Sequence, residues 1–506
     1  MDAKIILFEQ LLHKAEELRH FGNKIVLCHG VFDLLHLGNM RHLAQARKLG
    51  DCLLVTITAD RFLSEGLNRS LFPESMRAES LASLEVVDYV SILPDPNVIP
   101  ALLALKPHLY VKPSLTRVPN SAAENILSQE KEAMDSFNGE IVYTDEITFN
   151  ARDLLNDHFG LFSPQTREYL NRFSANYSLG ALLESIRSLQ NISVLVVGES
   201  IIEEYYHVQN MDFTGSGGTL ATRLLSIEPF VGGALAIANH LSGFSRQVSL
   251  LSGIGRDSSQ EAFIRSNLSP KITPYLFYFE QAPTLMKRRF VDPELKTLFE
   301  MYDYNPNPMT REVERNICAQ IEKIAARFDL VLVADYGYGF ISPYMVDLLC
   351  QNVHFLAVNT QANAGNRGCH AITRYPRADF IALNESELRL AVHDAISPLE
   401  EVAARVAARV RATNLVVTLR EQGAMLLECH SHRHHYIPAF STQVVDRTGA
   451  GDAFLSLSAL SLAGGISQDL AVFIGSAAAA LMVQTVGNRL PSTEENFLHY
   501  LTHLLK

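Results

Sequence analysis

Apolar residues follow two rhythms along the 506-residue chain. Short unbroken runs of about four to eight apolar residues read as buried strands, and runs with apolar residues every third or fourth place read as helix faces. KIVLCH, CLLVTITAD, VVDYVSIL, HLYVKP and EIVYTD predict strands in the first part of the chain. MRHLAQARKLG and PESMRAESLASL predict helices between them, the first with Met40, Leu43 and Ala44 facing inward. Strands separated by helices imply a parallel sheet that takes ligands at the carboxyl ends of its strands. From Ala151 to about Gln190 the pattern turns helical and polar. A second series then opens at ISVLVVGES and continues through QVSLLSGIG, LVLVADYGYG, HFLAVNTQ, DFIALNESE and NLVVTLRE. The Gly- and Thr-rich piece between Glu203 and Val231 predicts few strands, whereas PYLFYFE, MKRRFVD and LFEMYDY suit a small lid sheet over a pocket. The expected organisation is α/β throughout, with domains over 1–160 and 191–506 and a helical linker over 161–190.

Bulk properties narrow the function. A chain this long exceeds one ordinary core, in agreement with more than one domain. Hydrophobic residues at 47% and charged residues at 19% describe a soluble globular protein. A net charge of −12 argues against a nucleic-acid partner, because phosphate backbones are bound by clustered Lys and Arg. The six cysteines form no C-x-x-C pair and several sit in apolar runs, as reduced core thiols do. No apolar run reaches membrane length, and the amphipathic start MDAKIILFEQLLHKAEELRH carries acidic residues unlike a signal peptide. The expectation is a cytoplasmic protein with neither membrane nor nucleic-acid partner.

The sharpest chemical signal is DRTGAGDAF, Asp446 to Phe454, directly before a helical run. A Gly-Ala-Gly turn entering a helix turns backbone N–H groups and the positive dipole end toward an anion. Taken alone, it also fits an ordinary helix start capped by Thr448 or Asp452. From Ile192 to Leu505, however, the chain resembles the ribokinase-like carbohydrate kinases of the phosphofructokinase-B family. That resemblance implies a ribokinase-like α/β domain with a small β lid, ATP as co-substrate and Mg²⁺. It implies an anion hole at Thr448, Gly449, Ala450 and Gly451 and a catalytic base at Asp452. GGALAIAN points to Gly232, Gly233 and Asn239 near the sugar, and LNESE gives Asn384 and Glu387 as the magnesium-linked pair, acting through phosphate or water. GESIIEEY puts Glu203 where the family usually has a sugar-binding aspartate. TLREQG has Arg420 where glycine is common, and ADYGYG has Asp335 at the strand end and Tyr338 where heptose kinases often carry lysine. Lys287, Arg288 and Arg289 are placed to hold a phosphate already on the substrate, the alternative being a solvated basic edge strand.

GVFDLLHLGN resembles the HxGH signature of the cytidylyltransferase-like nucleotidyltransferases, over roughly Asn23 to His158, and implies a Rossmann-like domain. His36 matches the first histidine, as a catalytic contact to the triphosphate, and Asn39 replaces the second. Phe32, Asp33, Arg69 and Arg77 complete the implied triphosphate site, with CTP or ATP as nucleotide. Asparagine donates a hydrogen bond but carries no positive charge, and losing one well-aimed donor costs about 10²–10³ in rate. His42 lies one turn further on; Glu65 stands beside Gly66 where related enzymes have lysine; and the Ser/Thr-rich helix start is reduced to Thr148, Asn150 and Arg152.

Together the halves resemble bifunctional heptose-phosphate kinase/nucleotidyltransferases, here with the transferase-like half first. The resemblance implies sugar-phosphate and nucleotide substrates, a homodimer, and a nucleotide-activated sugar for a surface polysaccharide or lipopolysaccharide. The alternative is a sugar kinase whose first half is a weakened nucleotide-binding or dimerising module. A scaffold without catalysis is disfavoured by the intact GAGD and NESE elements. In CHSHRHHY the alternating context suggests an exposed hairpin over a metal site, and NTQANAGNRG is either a cleft-facing or a plain loop.

Overall fold

The computed structural model describes residues 4–33, 35–63, 72–113, 121–144, 162–213, 218–366, 368–431, 433–441, 444–488 and 493–505. Two compact units divide the chain, Met1–Leu161 and Phe162–Lys506.

In the first unit, β1 (Ile25–Gly30), β2 (Cys52–Thr58), β3 (Tyr89–Leu93), β4 (Leu109–Pro113) and β5 (Glu140–Thr144) form one sheet in the order β3-β2-β1-β4-β5. Every pairing is parallel, and the order reverses beside β1, the switch point at which such sheets hold ligands. Alternation within β1 serves two cores. Ile25 and Leu27 meet Leu11 and Ala15 of the helix Phe8–His20, while Val26 and Cys28 meet Leu43 and Ala46 of the helix Leu37–Lys48. That helix turns His42 and Leu43 inward and leaves Met40 exposed, correcting the predicted inward position.

The second unit is built on a nine-stranded sheet. It contains β6 (Ser193–Gly198), β9 (Gln247–Gly255), β10 (Ile272–Phe279), β13 (Leu330–Asp335), β14 (Leu356–Thr360), β15 (Ala378–Asn384), β16 (Ala412–Thr418), β17 (Ala424–Glu428) and β18 (Arg433–Ile437). Their order is β10-β9-β6-β13-β14-β15-β16-β17-β18, parallel up to β16 and antiparallel thereafter. CHSHRHHY lies at the terminal hairpin β17–β18, with His432 outside the described residues. The helices Pro164–Asn176 and Leu179–Ser188 belong to this unit. Phe173 stacks on Phe473, and the Tyr177 hydroxyl donates to Asp469 at 2.6 Å.

A separate four-stranded sheet forms the lid. Its strands are β7 (Ser200–Phe213), β8 (Leu220–Gly233), β11 (Leu285–Val291) and β12 (Thr297–Asp303), in the order β12-β11-β7-β8. The stretch read as strand-poor is thus a long hairpin. Its signal is hidden because charged and aromatic residues occupy both faces, so no apolar–polar alternation marks the strands. MKRRFVD and LFEMYDY are lid strands, but PYLFYFE is β10 of the large sheet. Pairing sets Tyr302, Lys287, Glu203 and Phe230 in one cross-strand row, and Glu300, Arg289, Tyr205 and Glu228 in another on the same face. Rows between them belong to the opposite face, which carries Arg288 with Glu204 and Phe290 with Tyr206.

Candidate active site

The helix Ala450–Ala463 begins at Gly449, whose φ of +79° is the left-handed conformation open to glycine. A side chain there would place its Cβ 2.0 Å from Asn488 Oδ1. Among the described residues no side chain caps this helix start, and Ala450 and Gly451 line a cavity of about 320 Å³ with Phe440, Val444 and Phe454. Amides without a side-chain cap, at the mouth of a cavity that Arg420, Glu421 and Arg447 also line, suit the phosphate end of a nucleotide. Asp446 holds the preceding loop in shape, accepting from Thr448 N at 3.0 Å and Gly487 N at 2.9 Å. Burial pushes its pKa up, yet hydrogen bonds led by the Tyr205 hydroxyl outweigh that and keep it low. The Thr448 hydroxyl is engaged by Asp446 at 3.0 Å, by Arg289, and by the Tyr205 hydroxyl at 2.9 Å. Its side chain therefore braces the loop, a correction to its expected contact with the anion.

Asp452 stands in the first turn of that helix. Its Oδ1 accepts from the Tyr336 hydroxyl at 2.8 Å. Burial raises the carboxyl pKa to about 6; Tyr336 pulls it down, Glu203 pushes it up, and Lys287 and Arg289 pull it down. Such a value suits a general base near neutral pH. Tyr336 was not singled out in the sequence, because its partner lies 116 positions away. It is fixed from behind by a set of buried groups. Its backbone N–H donates to Glu199 at 3.0 Å, and its carbonyl accepts from Asn363 at 2.7 Å and Asn366 at 3.1 Å. NTQANAGNRG is therefore a loop that supports the site. Glu199 is pushed up to about 8 by burial and then by the neighbouring Asp335 charge. Asp335 is itself held by Arg374 at 3.0 Å and the Tyr375 hydroxyl at 2.9 Å.

Glu203 lies on the inner lid face, 5% exposed, with Oε2 lacking a hydrogen-bond partner among the described residues. Gly232 sits against it, since a Cβ there would meet Glu203 Cγ at 2.9 Å. Gly233 faces the Glu199 carbonyl instead, at 2.7 Å from its would-be Cβ. Asn239 is corrected outright. Its Nδ2 donates to the Asn267 carbonyl at 2.8 Å and its Oδ1 accepts from Ser269 N at 2.9 Å, so it pins a loop and does not reach for sugar. Asn384 and Glu387 form a reciprocal cap on the helix Glu385–Ala391. Glu387 accepts from Asn384 N at 2.9 Å and Ala362 N at 3.2 Å, and burial raises its pKa to about 7. A carboxylate with both oxygens so engaged fits a water-mediated hold on magnesium, a cation that dehydrates reluctantly. Among the described residues no three His, Cys, Asp or Glu form a metal-holding group.

In the first unit, Phe32 adopts φ +51° in the turn after β1. Asp33 Oδ1 accepts from Phe72 N at 3.0 Å. His36 caps the helix Leu37–Lys48, its Nδ1 accepting from Gly38 N at 3.1 Å, and Asn39 Oδ1 accepts from His36 N at 3.3 Å in return. An imidazole accepting at Nδ1 carries its proton at Nε2. Asn39 thus spends its oxygen on the helix start. His42 is buried, bonded to Thr144 at 2.8 Å and pushed down to about 4 by burial, so it supplies no charge in place of the missing histidine. Arg77 is corrected as well. It is 1% exposed and donates to the carbonyls of Phe72, Val31 and Thr58 and to Asp60, so it ties loops together and does not reach a triphosphate. Arg69, Glu65, Gly66, Thr148, Asn150 and Arg152 lie outside the described residues.

Comparison with known proteins agrees with this layout. Residues 27–137 match the cytidylyltransferase-like family model, and residues 191–495 match the model of the pfkB family carbohydrate kinases. The Bifunctional protein HldE of Trichlorobacter lovleyi is 24% identical over 311 residues, covering 60% of this chain and 62% of that protein. Its counterpart from Azotobacter vinelandii is 25% identical over 304 residues, again covering 60% and 62%. The chain thus spans about 62% of the length of these curated relatives. Among solved structures, Escherichia coli phosphofructokinase-2 in complex with fructose-6-phosphate shares the fold of the second unit. It has a TM-score of 0.50 and 15% identity, covering 62% of this chain and 100% of that one. With the kinase model extending over most of its length, this chain belongs to the pfkB family of carbohydrate kinases.

Proposed function

We propose that the second unit transfers the γ-phosphoryl group of ATP to a hydroxyl of a sugar or sugar phosphate of the heptose 7-phosphate type. The observation that carries this reading is the pairing of Asp452 with an uncapped helix mouth at a nucleotide-sized cavity. Asp452 takes the proton of the acceptor hydroxyl as the oxygen–phosphorus bond forms and the bond to the β-phosphate oxygen breaks. The amides following Gly449 stabilise charge on the transferring group. Magnesium, when bound through Asn384 and Glu387, supplies positive charge along the donor phosphates. Glu203 accepts from acceptor hydroxyls. The test is ATP turnover by Asp452→Asn with sugar phosphates; unchanged turnover would remove the assignment.

We propose for the first unit a nucleotidyl transfer from CTP or ATP to the resulting sugar 1-phosphate, releasing pyrophosphate. HldE relatives, named as bifunctional, support it. A specific observation favours a second reading, a weakened nucleotide-binding module: Asn39, His42 and Arg77 are all committed to the fold. Pyrophosphate release separates the two. Release that depends on His36 supports transfer, and nucleotide binding without release supports the module.

A homodimer built on the outer lid face completes the proposal. There the register aligns Phe299, Phe290, Tyr206 and Ile227, with stacked rings at 4.3 and 4.7 Å and with Phe299 and Ile227 exposed.

A further inference from the structure

Three consecutive basic residues on β11 have three different fates. Arg288 is on the outer lid face and pairs with Glu204 at 3.0 Å. Arg289 is on the inner face, yet it is tied to Glu300 at 3.0 Å, Glu203 at 3.7 Å, the Tyr205 hydroxyl at 2.9 Å and Thr448. Lys287 also faces inward. It is 6% exposed and makes no hydrogen bond or ion pair within 4 Å among the described residues. Its ammonium rests over the rings of Tyr336 and Tyr338, each at 5.5 Å, and of Tyr302 at 5.9 Å. Tyrosine faces tolerate a cation but do not replace the oxygen acceptors it loses on leaving water. On the same side, the buried atoms Glu203 Oε2 and Tyr338 Oη also lack a hydrogen-bond partner among the described residues. Glu203 is the direct cross-strand neighbour of Lys287, and the Tyr336 ring under the ammonium carries the hydroxyl bonded to Asp452.

We infer that Lys287 is the specificity-determining residue of the acceptor site and binds an anionic substituent of the acceptor, a phosphate or a carboxylate, while Glu203 and Tyr338 take its hydroxyls. This rests on the proposed phosphoryl transfer and deepens it. Of the three basic residues, Lys287 alone makes neither a hydrogen bond nor an ion pair within 4 Å among the described residues, whereas both arginines are held by carboxylates. A lone ammonium set among rings also suits one compact anion better than an extended one. Lys287 is a buried cation beside the base, so desolvation holds its pKa down. An anion arriving with the acceptor favours its charged form.

The experiment uses the full chain as wild type, Lys287→Met and Lys287→Arg, with sedoheptulose 7-phosphate, gluconate and ribose as phosphorylated, carboxylated and neutral probes. Binding is read by calorimetry and turnover with MgATP by ADP release. Loss of one charge-assisted contact predicts about a tenfold or greater weakening of the anionic probe in Lys287→Met. Ribose should stay within about threefold and Lys287→Arg should recover part of the loss. The probe that weakens identifies phosphate or carboxylate. Equal loss for anionic and neutral probes, no loss for either anion, or no binding of either anion by the wild type overturns the inference. Unchanged ATP binding by Lys287→Met shows that the variant is folded. The parent reading fails separately, if the wild type binds an acceptor but Asp452→Asn turns it over as well as wild type does.

Discussion

Asp452 is a carboxylate whose environment works against its charge. With a folded pKa of about 6 against 3.8 for a free side chain, the native state holds the proton more tightly than the unfolded one. Stability contributed by this group therefore falls as pH rises from about 4 to 6 and stays reduced above that window. Asp452→Asn should then raise the melting temperature at pH 7, by an amount corresponding to about 2 kcal/mol or less, because the amide oxygen still accepts from Tyr336. Turnover should fall by about 10²–10⁴-fold. A thermal melt and an ADP-release assay on the same sample check both signs. Tyr336→Phe removes the largest influence that lowers the base pKa. The acidic limb of kcat/KM should move to higher pH, while kcat on the alkaline plateau changes less. A limb that stays in place would show that the hydroxyl does not tune the base.

Single elements are held by groups that resemble ligand contacts in sequence. Arg77, on the helix Glu74–Ala82, gathers three carbonyls, from the turn after β1, the last residue of β2 and the loop before its own helix. Arg77→Met leaves those carbonyls without their partner, at about 1–3 kcal/mol for each that water cannot reach. Hydrogen exchange in β2 should accelerate by orders of magnitude, while ATP turnover by the second unit persists. The lid shows how one strand serves two surfaces. Period-two alternation sends Lys287 and Arg289 inward and Arg288 outward. A motif read as three phosphate contacts thus becomes one site residue, one brace to the anion loop and one outer ion pair.

For the whole molecule, two units with separate sheets gather their candidate site residues unequally. In the kinase unit, base, helix mouth and lid residues converge, with the supporting carboxylates Glu199 and Asp335 behind them. In the other unit, His36 caps the helix Leu37–Lys48, and Asn39 and Arg77 serve the fold. At this scale the prediction concerns assembly. Ile227→Glu with Phe299→Glu on the outer lid face should turn a dimer into a monomer in sedimentation experiments. Leaving the inner face untouched, it should keep ATP binding. A sedimentation coefficient unaltered by the pair would place any dimer contact elsewhere.

Local chemistry fixed much of this protein before any fold was known. The buried runs that became β1 to β6, the Gly449 turn and the GAGD helix start each depend on residues adjacent in the chain. Backbone preference and side-chain period act over that range. The lid hairpin carries no apolar–polar alternation because charged and aromatic residues occupy both of its faces. Tyr336 reaching Asp452, Arg77 turning from a ligand contact into a loop tie, and Lys287 standing alone among tyrosines were decided only by tertiary structure. Strand register and sheet order choose which distant side chains meet. No spacing within a single stretch of sequence encodes that choice, because a partner across the sheet satisfies or strands a buried charge.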